Sequence, residues 1–414
     1  MKNDFLRSML MLLTGSVVAQ LLGVVSTPIK TRLFSVEDIG LFTYATTLMG
    51  IFTPLLLGQY DAVVVMAKRH VYAVIKVCIF LCIATTIMFT LGVTAYFCSI
   101  GTFYHNVAFV VCMPFFLLIT GLINILSAYN NRCREYKLLA TVNIQRSLVN
   151  LVGIVLFGAF GTGYIGLLFV TVVSQLAAVR KQAQSLKGHF QEIIAAKHKI
   201  MWLMAKKYWQ QPVFSMPGTF VNGLSYSLIA ICVKDLYDFA TLGYYSMSMT
   251  LLGLPLGLIS GNVGKVFFEE ASREKNETGC FINAFVKTTK YLIIGTVPIF
   301  IAIYFFAPWG CEFFLGKGWN VAGDYIRYLL PMFAVRFVVS PISLAVIISQ
   351  RQYYNIILQS IFLIAVGMCY YRASNWANDL ESFLLMINWS FAAIYMLFGS
   401  ICWRLAKHGN NGKR

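Results

Sequence analysis

The stretch Tyr328–Ile348, YLLPMFAVRFVVSPISLAVII, holds a single charged residue, Arg336, among 21 positions. As an α-helix it would be long enough to cross the hydrocarbon core of a bilayer. Arg336 would then lie roughly 13 Å from Arg327 and roughly 22 Å from Arg351, which puts both membrane surfaces out of easy reach. A charged side chain at this depth faces a polar or wet interior, so Arg336 either belongs to a functional site or pairs with a backbone or acidic group as a purely structural contact.

The whole chain has the composition of a membrane protein. Its 414 residues are 58% hydrophobic and 12% charged, with a mean hydropathy of +0.72, whereas soluble domains are about 25% charged. Twelve apolar segments have the length of a membrane span. They lie near residues 8–27, 39–66, 74–100, 106–128, 138–160, 163–180, 211–233, 240–264, 287–307, 326–348, 354–372 and 382–403. The sequence therefore predicts an all-α polytopic membrane protein with 12 transmembrane helices.

The positive charges predict the orientation of these helices. With the N-terminus in the cytoplasm, the inner loops carry 25 of the 33 Lys and Arg residues and the outer loops carry six. Such an excess marks the cytoplasmic side, so both termini are predicted to be cytoplasmic. The net charge of +17 then reflects topology and not a nucleic-acid partner. The remaining two cations, Arg146 and Arg336, lie within the predicted spans.

The chain also carries an internal repeat. A shift of 203 residues superposes Gly15 on Gly218, Gly40 on Gly243 and Gly50 on Gly253. An even number of helices in each copy predicts two six-helix lobes in the same orientation, as in transporters built from parallel repeats. The predicted parts are an N-terminal lobe at 1–180, a basic cytoplasmic linker at 181–208 on the anionic leaflet, and a C-terminal lobe at 209–414.

Several predicted helices carry polar residues on one face, which indicates either helix packing or a substrate path. The two stripes that contain an arginine are the strongest candidates for substrate binding. The stripes are Asn143, Arg146 and Asn150; Arg336, Ser340 and Ser343; Thr120, Asn124 and Ser127; Gly218, Asn222 and Ser225; and Ser16 with Gln20. Because an arginine matches phosphate groups through paired hydrogen bonds, the two arginine stripes favour an anionic substrate.

Two charged residues are candidates for coupling or for an ion pair. Asp61 is the one acidic residue well inside a predicted span, where it is either an ion-pair partner or a protonation site. Arg32 follows the first span. No metal-ligand or cofactor motif and no enzyme signature stands out, and the glycine-rich Gly158–Gly163 lacks the Lys-Ser/Thr ending of a phosphate loop. The sequence predicts a transporter that is not an enzyme and has no cofactor.

Four stretches resemble the Wzx-type polysaccharide flippases of the multidrug/oligosaccharidyl-lipid/polysaccharide (MOP) exporter superfamily. They are Thr27–Phe34 with Glu37–Phe42, then Gly243–Tyr245 through Gly253–Pro255 to Val266–Ser272, then Gly318–Trp319 through Ala322–Gly323 and Tyr325–Ile326 to Pro331, and Ser340–Ser343. One departure is visible: many relatives have an Arg-Tyr-acid triplet in the second helix, and this chain has Gln59-Tyr60-Asp61 there.

The resemblance implies a specific activity. Such a protein moves undecaprenyl-pyrophosphate-linked oligosaccharide from the inner to the outer leaflet of the bacterial inner membrane by alternating access. A polysaccharide polymerase and a chain-length regulator are candidate partners. Three rivals stay open: a drug/cation antiporter of the same superfamily, a membrane glycan polymerase or ligase, and a membrane scaffold. The antiporter would call for acidic groups in its cavity, and the enzyme would call for a large outer loop.

Overall fold

The computed structural model describes residues 2–67, 69–101, 107–349, 351, 353–376 and 379–408, and the predicted start of the fourth span, residue 106, lies outside them. In these ranges the chain forms α-helices and short helical turns, without a strand. The chain divides into two compact units, Met1–Gly223 and Leu224–Arg414. This all-helical architecture confirms the predicted fold class.

The first unit contains nine helices and the start of a tenth among its described residues. These are α1 (Lys2–Leu33), α2 (Val36–Phe52), α3 (Tyr60–Met66), α4 (Val71–Ile100), α5 (Val107–Arg132), α6 (Tyr136–Ala159), α7 (Gly163–Gln182), α8 (Phe190–Ala195), α9 (His198–Lys207) and α10 (Met216–Leu236). The second unit contains the rest of α10, α11 (Phe239–Pro255), α12 (Gly261–Thr278), α13 (Ile282–Leu315), α14 (Asn320–Ile342), α15 (Ala345–Ile348), α16 (Tyr353–Trp376) and α17 (Leu380–His408).

Nine helices in the described ranges are long and apolar enough to cross a membrane. The bent pair Val36–Leu55 and Tyr60–Met66 would make a tenth. Its 50° bend has a local cause: Pro54 lies in a 3₁₀ turn, and Gly58 and Gln59 adopt left-handed backbone conformations that end helices. The predicted count of 12 spans and the orientation of the termini stay predictions.

The helix bounds follow the internal repeat. Adding 203 to the ends of α2, Val36 and Phe52, gives Phe239 and Pro255, the ends of α11. The caps at the helix starts also correspond, since Ser35 and Asp238 each accept a hydrogen bond from a backbone N–H three residues ahead. Both helices then run into a short irregular turn, a 3₁₀ turn at Thr53–Leu55 and a π-helical turn at Leu256–Ser260.

The basic segment predicted as a linker packs on the first unit. Met201 and Met204 of α9 are buried in the same apolar cluster as Tyr60 of α3, whose hydroxyl donates to the Ala205 carbonyl at 2.8 Å. Lys76 of α4 donates to the carbonyl oxygens of Ile194 and Ala196 at 2.9 and 2.8 Å. These contacts fix the segment to α3 and α4.

The connection between α13 and α14 is short. α13 extends beyond the predicted span end at 307, continuing through Pro308 to Leu315. Gly323 of α14 lies directly against the backbone of Pro308, so the missing side chain lets the two helices pack at this level. The loop that remains is 316–319.

Candidate functional site

The first unit contains a cavity of about 500 Å³ between α1, α6 and α7. Of the 12 lining residues that the structure describes, ten are polar, although all three helices are largely apolar. The lining consists of Ser16, Ala19, Gln20, Gly23 and Ser26 from α1, Asn143, Arg146, Ser147 and Asn150 from α6, and Thr171, Ser174 and Gln175 from α7. The structure thus brings together the predicted Asn143–Arg146–Asn150 stripe and the pair Ser16 and Gln20.

Close helix packing shapes this cavity. α1 approaches α6 where Gly15 lies against Ala140, and α6 approaches α7 where Gly153 lies against Val170. A side chain on either glycine would collide with the facing helix. Gln175 is held from outside the cavity, since Thr120 of α5 donates to its side-chain oxygen at 3.1 Å.

Among the described residues that line this cavity, Arg146 is the only charged one. Among the residues that the structure describes, no carboxylate forms an ion pair with it. Three of the lining hydroxyl groups donate back to carbonyls of their own helices: Ser26 to Gly23, Thr171 to Leu167 and Ser174 to Thr171, at 2.7–2.8 Å. The cavity therefore combines one fixed positive charge with hydroxyl and amide groups, a surface suited to a polar anion.

The second unit contains a separate cavity of about 610 Å³. It is lined by Gly253 of α11, Leu256, Gly257 and Ser260 of the π-helical turn, Gly264 of α12, Arg336, Ser340 and Pro341 of α14, and the following Ser343 and Leu344. Three glycines and the break between α11 and α12 leave room beside Arg336. The predicted stripe of Arg336, Ser340 and Ser343 thus lines this cavity.

Aromatic rings hold the Arg336 guanidinium. Its central carbon lies 4.5 Å from the ring centre of Tyr226 on α10 and 5.7 Å from that of Phe333. The hydroxyl of Tyr226 in turn hydrogen-bonds that of Tyr395 on α17. Cation–π contact stabilises the charge without neutralising it, and in the described part of the chain no carboxylate pairs with Arg336.

The other predicted site residues line neither cavity. Asn124 is half-buried on α5, in a stripe whose neighbours Thr120 and Ser127 bond to Gln175 and Gln182 of α7. Asn222 is exposed on α10, and Arg32 is exposed in the last turn of α1. Asp61 is half-buried in the first turn of α3. The roles predicted for these four residues stay predictions.

Sequence reasoning missed two parts of these sites. Thr171, Ser174 and Gln175 stand at i, i+3 and i+4 on α7, a pattern that could have been found in the same way as the others. Tyr226 and Tyr395 carried no such signal, because their link to Arg336 depends on three helices far apart in the chain.

Solved structures with a similar fold are transporters. An inward-facing multidrug resistance MATE family transporter of the MOP superfamily matches with a TM-score of 0.63 at 13% identity, covering 95% of this chain and 94% of that chain. An outward-facing MATE transporter matches with a TM-score of 0.61 at 14% identity, covering 97% and 94%. A MOP superfamily transporter from Pyrococcus furiosus, described as having a binding pocket of reverse polarity that suggests a different function, gives 0.57 at 14%, covering 97% and 94%. The fold is that of MOP superfamily transporters, and the chain is a multi-pass membrane protein.

A sequence-family model narrows this class. The model described as polysaccharide biosynthesis protein matches residues 29–324, and the chain belongs to that family. The resemblance to MOP-type polysaccharide flippases, predicted from the residues, is thereby confirmed. No curated protein sequence matches the chain significantly.

Proposed function

We propose that this protein moves undecaprenyl-pyrophosphate-linked oligosaccharide units from the cytoplasmic to the periplasmic leaflet of the bacterial inner membrane, for the synthesis of O antigen or another surface polysaccharide. The observation that carries the proposal is the first-unit cavity, in which ten polar residues, one of them an arginine, lie among apolar helices. Membership of the polysaccharide biosynthesis family supports a glycan substrate.

The cavity chemistry fits each part of such a substrate. A pyrophosphate is anionic and would accept hydrogen bonds from Arg146 or Arg336. The hydroxyl and amide groups of the first-unit cavity would replace water around the sugars. The lipid tail would stay in the bilayer. An inside-negative potential favours outward movement by about 2.3 kcal/mol per 100 mV for each net negative charge.

Alternating access would complete the transport cycle. Solved transporters of this fold are described in both inward-facing and outward-facing conformations. Each conformation would open the polar groups to one leaflet, so the glycan would cross without meeting the hydrocarbon core.

The rival function is export of cationic drugs, since solved structures with this fold are described as multidrug resistance transporters. A cation would need a carboxylate in its path. The lining of both cavities, as far as the chain is described, contains arginine and no Asp or Glu. Efflux of a cationic dye by the protein in a drug-sensitive strain, with no effect on surface glycan, would favour this rival.

Replacement of the two arginines tests the proposal. In a strain that lacks the chromosomal gene, Arg336→Ala should abolish export of surface glycan, and Arg146→Ala should reduce it strongly, because each removes the fixed charge of one cavity. Glycan on immunoblots and protein in membranes would be measured together. Arg372→Ala removes an exposed cation that lines neither cavity and should leave export unchanged. Full export by Arg336→Ala at a normal protein level would refute the assignment.

A further inference from the structure

The second unit also contains a mostly apolar cavity, unlike the polar cavities beside Arg146 and Arg336. It is a slot of about 530 Å³ between α13, α14 and α17. Its walls are mostly apolar and include Phe285 of α13, Val339 and Ile342 of α14, and Met396 and Trp403 of α17. Met396 and Trp403 are about half exposed, so the slot opens to the surface of the unit.

Gly399 lies on α17 between Met396 and Trp403 and lines the slot. A Cβ atom placed on it would lie 3.4 Å from a Val339 methyl group, so α17 approaches α14 closely at this level. A residue larger than alanine at this level would place its side chain against Val339 or in the slot. Trp403 closes one side by packing edge to face on Phe285, with ring centres 6.2 Å apart.

Two cations lie at one end of the slot. Arg404 and Lys407 follow Trp403 on α17, both are exposed, and both line the cavity. No acidic residue is among the lining residues that the structure describes. From Met396 to Lys407 the helix rises roughly 16 Å, so the apolar part and the charged part lie along one line. The slot is thus amphipathic along its length.

The shape and the charge favour one class of occupant. About 530 Å³ spread over this length is too narrow for a partner helix, whose diameter with side chains is about 10–12 Å. A single hydrocarbon chain needs less width. Basic pockets between membrane helices are typical sites for anionic lipid head groups, and the C-terminus is predicted to lie on the anionic cytoplasmic leaflet.

We propose that the slot binds an anionic phospholipid, with its phosphate at Arg404 and Lys407 and one acyl chain beside Gly399. The site is distinct from the two polar cavities. It therefore does not depend on the proposed transport function.

Lipid retention by the purified full-length protein tests this proposal. Native mass spectrometry in detergent would compare added palmitoyl-oleoyl phosphatidylglycerol with its phosphatidylethanolamine counterpart. Phosphatidylglycerol should bind in preference, and Arg404→Gln with Lys407→Gln should weaken it by about 25-fold, since each cation near an anionic head group is worth roughly fivefold. Gly399→Leu should weaken binding with both cations intact. Lys290→Gln, an exposed cation on α13 outside the slot, is the matched control.

The outcomes separate the proposal from its rivals. Equal retention of the two lipids, or full retention by the double variant, would overturn it. Preferential binding of undecaprenyl phosphate over phosphatidylglycerol would overturn the phospholipid assignment and make the slot part of the substrate path. If Gly399→Leu does not fold, the single variant Lys407→Gln tests the proposal. The exposed Lys407 side chain has little part in packing, so this variant should fold. It should still lower phosphatidylglycerol binding about fivefold.

Discussion

Arg336 lies over the ring of Tyr226, with its central guanidinium carbon 4.5 Å from the ring centre. A structural ion pair would place a carboxylate beside it, and none of the described residues supplies one. The aromatic contact instead stabilises the guanidinium beside a cavity. This arrangement supports the proposed role of Arg336 in binding an anion.

The ring of Tyr226 should matter more than its hydroxyl. Tyr226→Phe keeps the ring beside Arg336 and loses the hydrogen bond to Tyr395, whereas Tyr226→Leu loses both. We expect nearly normal glycan export from the first variant. We expect about tenfold slower export from the second, since a desolvated cation–π contact is worth up to about 2 kcal/mol. Tyr395→Phe controls for loss of the hydrogen bond, and equal losses in Tyr226→Phe and Tyr226→Leu would show that the hydroxyl carries the effect.

The sequence predicted the residues that share a helix better than those that meet across helices. Asn143, Arg146 and Asn150 could be grouped because helical spacing alone places them on one face. Thr120 and Ser127 showed the same kind of spacing, yet they bond to glutamines of α7. Spacing cannot separate these cases, because it does not say whether the face meets another helix or a cavity.

At the scale of the helices, Gly15 sets the distance between α1 and α6. Gly15→Ala should force the two helices apart at Ala140 and destabilise the protein by about 1–3 kcal/mol, the usual cost of overpacking. The melting temperature of the purified protein should fall by several degrees. Gly50→Ala is the matched control, because a Cβ atom added at this position on α2 would have no described neighbour within 4 Å. Equal melting temperatures for the two variants would contradict the packing described for α1 and α6.

The helix breaks show where sequence reasoning reached its limit at this scale. The bend after α2 has local causes in Pro54 and Gly58, so it could have been predicted. The persistence of α13 beyond Pro308 could not, because proline usually ends a helix. Pro308 cannot donate to the Tyr304 carbonyl four residues back, and Arg327 of α14, a residue on another helix, donates to that oxygen instead at 2.8 Å.

At the scale of the whole molecule, the orientation in the membrane can be tested with single cysteines. Cys133 is exposed after α5 on the predicted cytoplasmic side, and Phe160 is 81% exposed after α6 on the predicted outer side. In variants without other cysteines, a membrane-impermeant thiol reagent applied to intact cells should label Phe160→Cys and spare Cys133. In permeabilised cells the reagent should label both cysteines. Labelling of Cys133 and not of Phe160→Cys in intact cells would show that the predicted topology is inverted.

The arginine in the first-unit cavity also bears on the ion gradients across the membrane. Polar groups inside a bilayer admit water, and water lowers the barrier that keeps protons and sodium ions out. A fixed positive charge in such a passage repels both ions, as an arginine does in the pore of a water channel. Arg146 would thus let the protein open a hydrated route for a bulky anion while limiting the leak that would discharge the cell's proton-motive force.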